Sequence, residues 1–277
     1  MRKRFAELTV LDQHEIAPEL FHARFQLPED NENAVSDSDN SREVPSFLPG
    51  NFLMLRCEPA DPYRLMRPMS VLAFDRAART IDILYSTVGD QTRRLSLAPP
   101  GTRLPAVFPL GNHFDIPQEK STLIVLVAGG VGLPPLLFLA SHLGEHGFQR
   151  PALFVGARDD SQLARGFIER WSADSHFATD DGSQGFRGTV VDHLEAEGVL
   201  AGAWVYACGP RAMLRRLQGL FDAVAPARCQ VSLEEMMACG TGACYGCAVG
   251  SDAQGMEAHQ LVCRDGPVFE LAQVRFD

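Results

Sequence analysis

Four cysteines crowd the stretch from 239 to 263: Cys239, Cys244, Cys247 and Cys263, spaced C-x4-C-x2-C-x15-C. That is the plant-type spacing for a [2Fe-2S] cluster. Three thiolates converging on a small inorganic core need a backbone that wraps closely, and the loop reads Cys239-Gly240-Thr241-Gly242-Ala243-Cys244-Tyr245-Gly246-Cys247. Its glycines admit positive φ and bring backbone N–H groups towards the sulfurs. The rival chemistry is a structural zinc site. Zinc knuckles generally use pairs of C-x2-C, and only one such pair exists here. Unligated thiols are the third reading. The chain has seven cysteines in all, and an odd number so crowded argues against a disulfide framework. Cys57 and Cys229 read as core residues outside the tight loop.

A second candidate is Gly129-Gly130-Val131-Gly132, which follows the apolar run Leu123–Ala128 and opens a helical pattern. Strand, glycine turn and helix start together favour a phosphate, through free N–H groups and the helix dipole. The full G-x-G-x-x-G fingerprint is absent, so a bare βα turn stays open as an alternative. The next strand ends in Gly156-Ala157-Arg158-Asp159-Asp160, where an acid would hold an adenosine ribose and the arginine a 2′-phosphate. The two cues conflict; NAD is favoured over NADP. His142-Leu143-Gly144-Glu145-His146 spells a zinc-protease pattern, but it sits on a helix with its own packing face. Thr179-Asp180-Asp181-Gly182-Ser183 reads as turn chemistry.

These residues need elements to carry them. Phe52–Arg56, Met69–Phe74 and Thr80–Ser86 are short runs bounded by turn residues, which predicts an antiparallel barrel without a useful helix in the first ~115 residues. Residues 29–43 form an acidic, polar insertion read as a solvated loop. Beyond ~120 strands and helices alternate, predicting a parallel sheet. Ser161 is expected to cap the helix holding Phe167, Ile168 and Trp171, and Ser232-Leu233-Glu234-Glu235 to cap a short helix before Cys239. The expected fold is multidomain β plus α/β: an antiparallel β-barrel over 1–118, a parallel α/β nucleotide domain over 119–225, and a small [2Fe-2S] module over 226–277.

Composition narrows the partners. The 277 residues are 45% hydrophobic and 22% charged, as in a globular chain. A net charge of −10 disfavours nucleic acid and anionic membranes. Leu123–Ala140 is long and uncharged, but Gly129, Gly130, Gly132, Pro134 and Pro135 would break a spanning helix. A cytoplasmic chain without a membrane span is expected.

Barrel, nucleotide domain and cluster tail in this order resemble the ferredoxin–NAD(P) reductase superfamily, and Arg67-Pro68-Met69-Ser70 matches its flavin-binding R-x-x-S motif. The tail, Ser232 through Cys247 and Val262-Cys263-Arg264-Asp265-Gly266-Pro267-Val268-Phe269, is similar to the electron-transfer subunits of bacterial NAD-dependent dihydroorotate dehydrogenases; so are Thr179–Ser183 and Tyr206-Ala207-Cys208-Gly209-Pro210. The resemblance implies FAD at Arg67, Pro68, Met69, Ser70, Leu84, Tyr85, Ser86, Gln91 and Thr92, with the four crowded cysteines as cluster ligands. It implies a nicotinamide nucleotide at Gly129–Gly132 and at Cys208, Gly209 and Pro210. Its implied partner is an FMN-containing dihydroorotate dehydrogenase catalytic subunit, two of each in a heterotetramer, in pyrimidine biosynthesis. Gln91 and His113 stand where that family has glycine. A reductase subunit serving another acceptor, or a non-redox docking module with a zinc tail, would share much of this layout.

Overall fold

The computed structural model describes residues 3–29, 46–58, 64–172, 174–221, 224–252 and 258–276. All of the acidic insertion after Glu29 lies outside the described residues. Six strands close a barrel in the order β1-β2-β5-β4-β3-β6. They are β1 (Arg4–Ala17), β2 (Leu20–Gln26), β3 (Phe52–Leu55), β4 (Arg67–Asp75), β5 (Thr80–Ser86) and β6 (Arg103–Leu110), all antiparallel. Leu8, Phe25, Leu53, Leu55, Ile81 and Phe108 fill the barrel. One helix the sequence pattern did not announce, α1 (Asp90–Ser96), follows β5. It buries only Leu95, so it carries no apolar period to be read.

A seven-stranded sheet follows, in the order β10-β9-β8-β7-β11-β12-β15. Its central strand β7 (Ile124–Gly129) is buried at all six positions, because β8 (Ala152–Ala157) and β11 (Trp204–Cys208) flank it in parallel and helices cover both faces. The chain runs outward from β7 through β8, β9 (Ser175–Thr179) and β10 (Phe186–Arg187), then returns to β11 on the other side. That reversal makes the C-terminal end of β7 a switch point, where open α/β sheets place ligands. Helix α2 (Leu133–Glu145) leaves there and packs against β4 of the barrel as well as β7 and β11.

Two expected caps are not used. Asp159, not Ser161, caps here: its carboxylate accepts from the Ser161 N–H at 3.0 Å and heads only a single 3-10 turn. Helix α3 (Arg165–Trp171) starts separately from Ala164 at φ +47° with no side-chain cap. Ser232 ends strand β12 (Arg228–Ser232), and residues 233–237 form no helix. The Leu233 N–H is taken by the Pro267 carbonyl at 2.9 Å, so pairing with the returning chain wins over a local cap.

The sheet also draws strands from both sides of residue 226. β12 runs parallel to β11, and β15 (Val268–Glu270) closes the edge antiparallel to β12. Between them β13 (Ala248–Ser251) pairs with β14 (Ala258–Leu261) and, on its other side, with β16 (Val274–Arg275) from beyond β15, while Val262–Asp265 forms a single helical turn. No helix among the described residues is long and apolar enough to cross a membrane.

A charged set staples the barrel wall. Asp82 is 3% exposed and accepts two bonds from Arg24 at 2.8 Å, with His22 Nε2 3.1 Å away. Burial alone would raise its pKa, but the bonds from Arg24 and His22 hold it below the usual carboxylate range. A carboxylate depressed in the fold stabilises above its unfolded pKa of about 3.9 and loses that contribution as pH falls through the folded value. Asp82→Asn is therefore expected to cost about 1–3 kcal/mol at pH 7. Urea unfolding of both proteins should show that gap closing progressively below about pH 4.

Candidate functional site

Two clefts meet at the seam between barrel and sheet. The first, about 300 Å³, is walled by Arg67, Pro68, Met69 and Ser70 of β4, Leu84, Tyr85 and Ser86 of β5, and Thr92 of α1. Eight of the nine residues expected at a flavin thus share one cleft; Gln91 does not line it, and neither does His113. The Thr92 hydroxyl is engaged with the Gly89 backbone. The Tyr85 hydroxyl donates to Gln13 at 2.8 Å, leaving its ring as cleft wall. Val131 and residues the sequence reading did not assign to a site complete the cleft: Phe52, Val88, Pro134, Leu233, Glu234, Glu235, Met237 and Pro267. Mainly apolar faces with one guanidinium, the hydroxyls of Ser70 and Ser86 and two carboxylates suit a flat ring system carrying a phosphate.

The second cleft, about 670 Å³, opens over the switch point. Gly129, Gly130, Val131 and Pro210 line it, together with Arg158, Asp180, Thr189 and Arg216. Of the paired acids, Asp180 lines this cleft while Asp181 accepts from the Ser183 N–H and hydroxyl at 2.9 and 2.7 Å. Ser86, Val88 and Val131 belong to both clefts, so a ligand in one abuts a ligand in the other.

Gly132, Cys208 and Gly209 line neither cleft. Their role is backbone contact. A Cβ on Gly132 would stand 2.2 Å from the Cys208 carbonyl oxygen, and one on Gly209 2.9 Å from the Gly129 nitrogen. The two turns at the ends of β7 and β11 are thus packed main chain to main chain. Cys208 is wholly buried; burial first, then the Glu234 carboxylate, push its thiol well up. Its expected position near a nicotinamide is behind the cleft wall, not on it.

The four crowded thiols lie together, with Cys247 and Cys263 buried, Cys239 half-buried and Cys244 exposed. Cys239 interacts with Cys244, and Cys247 with Cys263. Two thiol pairs suit a two-iron core. The Thr241 N–H approaches the Cys239 sulfur at 3.4 Å, and the Cys263 N–H the Cys247 sulfur at 3.5 Å. Burial opposes ionisation of Cys239, yet N–H donors from Thr241 and Cys244 bring its thiol down to about 6. Burial and the neighbouring Cys247 push Cys263 up to about 12. Gly240 turns at φ +68°, where a Cβ would stand 2.4 Å from Met54 of the barrel. Cys229 lies in β12 and Cys57 beside Leu55, both outside this group.

Barrel, switch-point sheet and thiol loop around contiguous clefts define a flavin and iron–sulfur reductase of the ferredoxin-reductase type. A solved NADH-dependent reduced ferredoxin-NADP oxidoreductase, described for flavin-based electron bifurcation, is similar at TM-score 0.79 and 26% identity, covering 98% of this chain and 90% of that one. Residues 234–275 match the iron-sulfur cluster binding domain of dihydroorotate dehydrogenase B. The electron transfer subunit of dihydroorotate dehydrogenase B (NAD(+)) from Desulforamulus reducens is 35% identical over 270 residues, 96% of each chain. That from Listeria monocytogenes is 37% identical over 241 residues, 84% of this chain and 89% of its own. The chain belongs to this family of electron transfer subunits.

The main-chain packing can be tested by adding one carbon. Gly132→Ala is expected to cost about 1–3 kcal/mol through overpacking against Cys208. Gly130→Ala, at φ +55° with open space around it, should cost only the left-handed penalty of about 1–2 kcal/mol and leave the fold intact. Thermal unfolding should rank Gly132→Ala as the more damaging, with near-ultraviolet circular dichroism altered in that variant alone.

Proposed function

We propose that the chain carries electrons between a dihydroorotate-oxidising catalytic subunit and NAD+, through a [2Fe-2S] cluster and FAD, in a cytoplasmic complex. The observation that carries this reading is a single cleft walled by all three parts of the chain. Ser70 and Tyr85 come from the barrel, Val131 and Pro134 from the switch point, and Leu233, Met237 and Pro267 from the segments flanking the cysteines. A cluster accepts one electron at a time and a nicotinamide two as hydride; a flavin exchanges both, so it stands between them. Cys239, Cys244, Cys247 and Cys263 would hold the cluster, and Gly129, Gly130 and the start of α2 the nucleotide phosphates. Arg67 would neutralise a flavin phosphate, with Ser70 hydrogen-bonding the ring. Thr92 supports the turn beneath it.

No catalytic base for dihydroorotate is assigned to this chain; deprotonation of that substrate falls to the partner. That partner is read as the FMN-containing dihydroorotate dehydrogenase subunit, in a complex of two copies of each. Co-expression should yield a complex that reduces NAD+ when given dihydroorotate, and the isolated chain should not.

Removing single groups tests the assignments. Cys244→Ser is expected to lose iron, sulfide and the cluster absorbance, whereas Cys229→Ser keeps all three; elemental analysis of anaerobically reconstituted protein reads the difference. Arg67→Ala removes a charge-assisted bond of about 1.5–3 kcal/mol, which is roughly 10- to 150-fold in FAD affinity by fluorescence titration.

A further inference from the structure

Electron pairs reach the flavin cleft unaccompanied. A cluster conducts electrons and no protons, while NAD+ departs with a hydride, which is two electrons and one proton. One proton must therefore enter the cleft for each NADH formed, and some group has to hold it there. Two carboxylates line the cleft, Glu234 and Glu235. Glu235 is committed to Arg211 at 3.1 Å. Glu234 has no hydrogen-bond or ion-pair partner among the described residues, and its exposed side chain lines the cleft.

We propose that Glu234 is the proton donor of the flavin cleft, supplying the proton that each electron pair arriving through the cluster lacks. This rests on the reading of that cleft as the FAD site. In the balanced step, two electrons arrive singly and one proton leaves the Glu234 O–H bond for a ring nitrogen of the isoalloxazine. Pair and proton then depart together as the new C–H bond of NADH, and solvent reprotonates the carboxylate. The location suits the task. Glu234 follows β12 by two residues, beside the end of β11, and shares its cleft with Ser86, Val88 and Val131, where the nucleotide cleft begins. Desolvation raises its carboxyl above the usual range, which keeps a larger protonated fraction near neutrality. The other titratable groups facing the cleft are less suited. Arg67 is assigned to a flavin phosphate, and Tyr85 donates its hydroxyl to Gln13 with its pKa raised by burial. Cys208 is buried behind the wall.

The test separates reductants that carry a proton from those that do not. Full-length holoprotein, wild type and E234Q, is reduced anaerobically either by photoreduced methyl viologen, a bare electron donor, or by NADH, which brings its own proton. Flavin bleaching by viologen is expected to slow about 100-fold in E234Q, as for loss of a general acid. E234D should restore most of that rate, and the NADH route should lose far less. The wild-type viologen rate should fall as pH rises through ionisation of the carboxyl and show a solvent deuterium isotope effect. Independently of turnover, the infrared spectrum should contain a protonated-carboxyl band that titrates in wild type and is missing in E234Q. Equal slowing by both reductants, slowing by neither, or an unchanged carboxyl band in E234Q overturns the proposal. A wild-type chain that binds no FAD would instead overturn the cofactor assignment beneath it.

Discussion

The arrangement depends on one seam, where the exit from the barrel is pinned to the segment carrying the last of the four crowded cysteines. Asn112 donates to the carbonyls of Asp265 and Val268 at 3.2 and 2.8 Å and accepts from the Val268 N–H at 2.9 Å. Its own N–H reaches Gly266 at 2.7 Å. Beside it, Gly111 leaves no room for a side chain, since a Cβ would stand 2.4 Å from Pro267. Four hydrogen bonds and one van der Waals contact thus hold barrel, sheet edge and thiol loop at a fixed separation. Electron exchange between neighbouring carriers needs that fixed spacing more than it needs any particular side chain at the carriers.

Charge is used sparingly and mostly to fix orientation. Arg228 contacts Asp115 at 2.6 Å, pairs also with Glu270, and lies 5.0 Å from the centre of the Trp204 ring. Gln230 adds bonds to Asp115 and Glu270 at 3.2 and 3.0 Å. Linker, β11, β12 and β15 are thereby joined by one polar set at the end of the sheet away from the clefts. The clefts themselves are left mainly apolar, which suits ligands that bring their own charge.

The thiol loop was legible because cluster chemistry imposes residue type and spacing together, so Cys239 to Cys263 announce themselves without any knowledge of the fold. The switch-point turn was legible for a similar reason: an uncharged strand running into Gly129-Gly130 leaves few alternatives. What was hidden depends on long-range pairing. Nothing local says that Leu233 bonds to Pro267, so Ser232-Leu233-Glu234-Glu235 looked like a helix cap, and Glu234 stayed unnoticed as cleft wall. Asp159 and Ser161 compete for the same turn, and only the backbone conformation at Ala164 decides that the turn and α3 are separate. Cys208 was drawn towards the ligand by its neighbours Gly209 and Pro210, yet the tight packing with Gly132 faces its carbonyl to the loop and leaves the thiol inside.

The return of β15 to the edge of the sheet has a consequence for biogenesis. A strand from beyond Cys263 completes the same sheet that begins at β7. On a ribosome, that sheet keeps an open edge until the residues after Cys263 have emerged. By then all four crowded thiols have been synthesised, since each precedes β15 in the chain, so the loop that carries them can be held against the sheet as its edge closes.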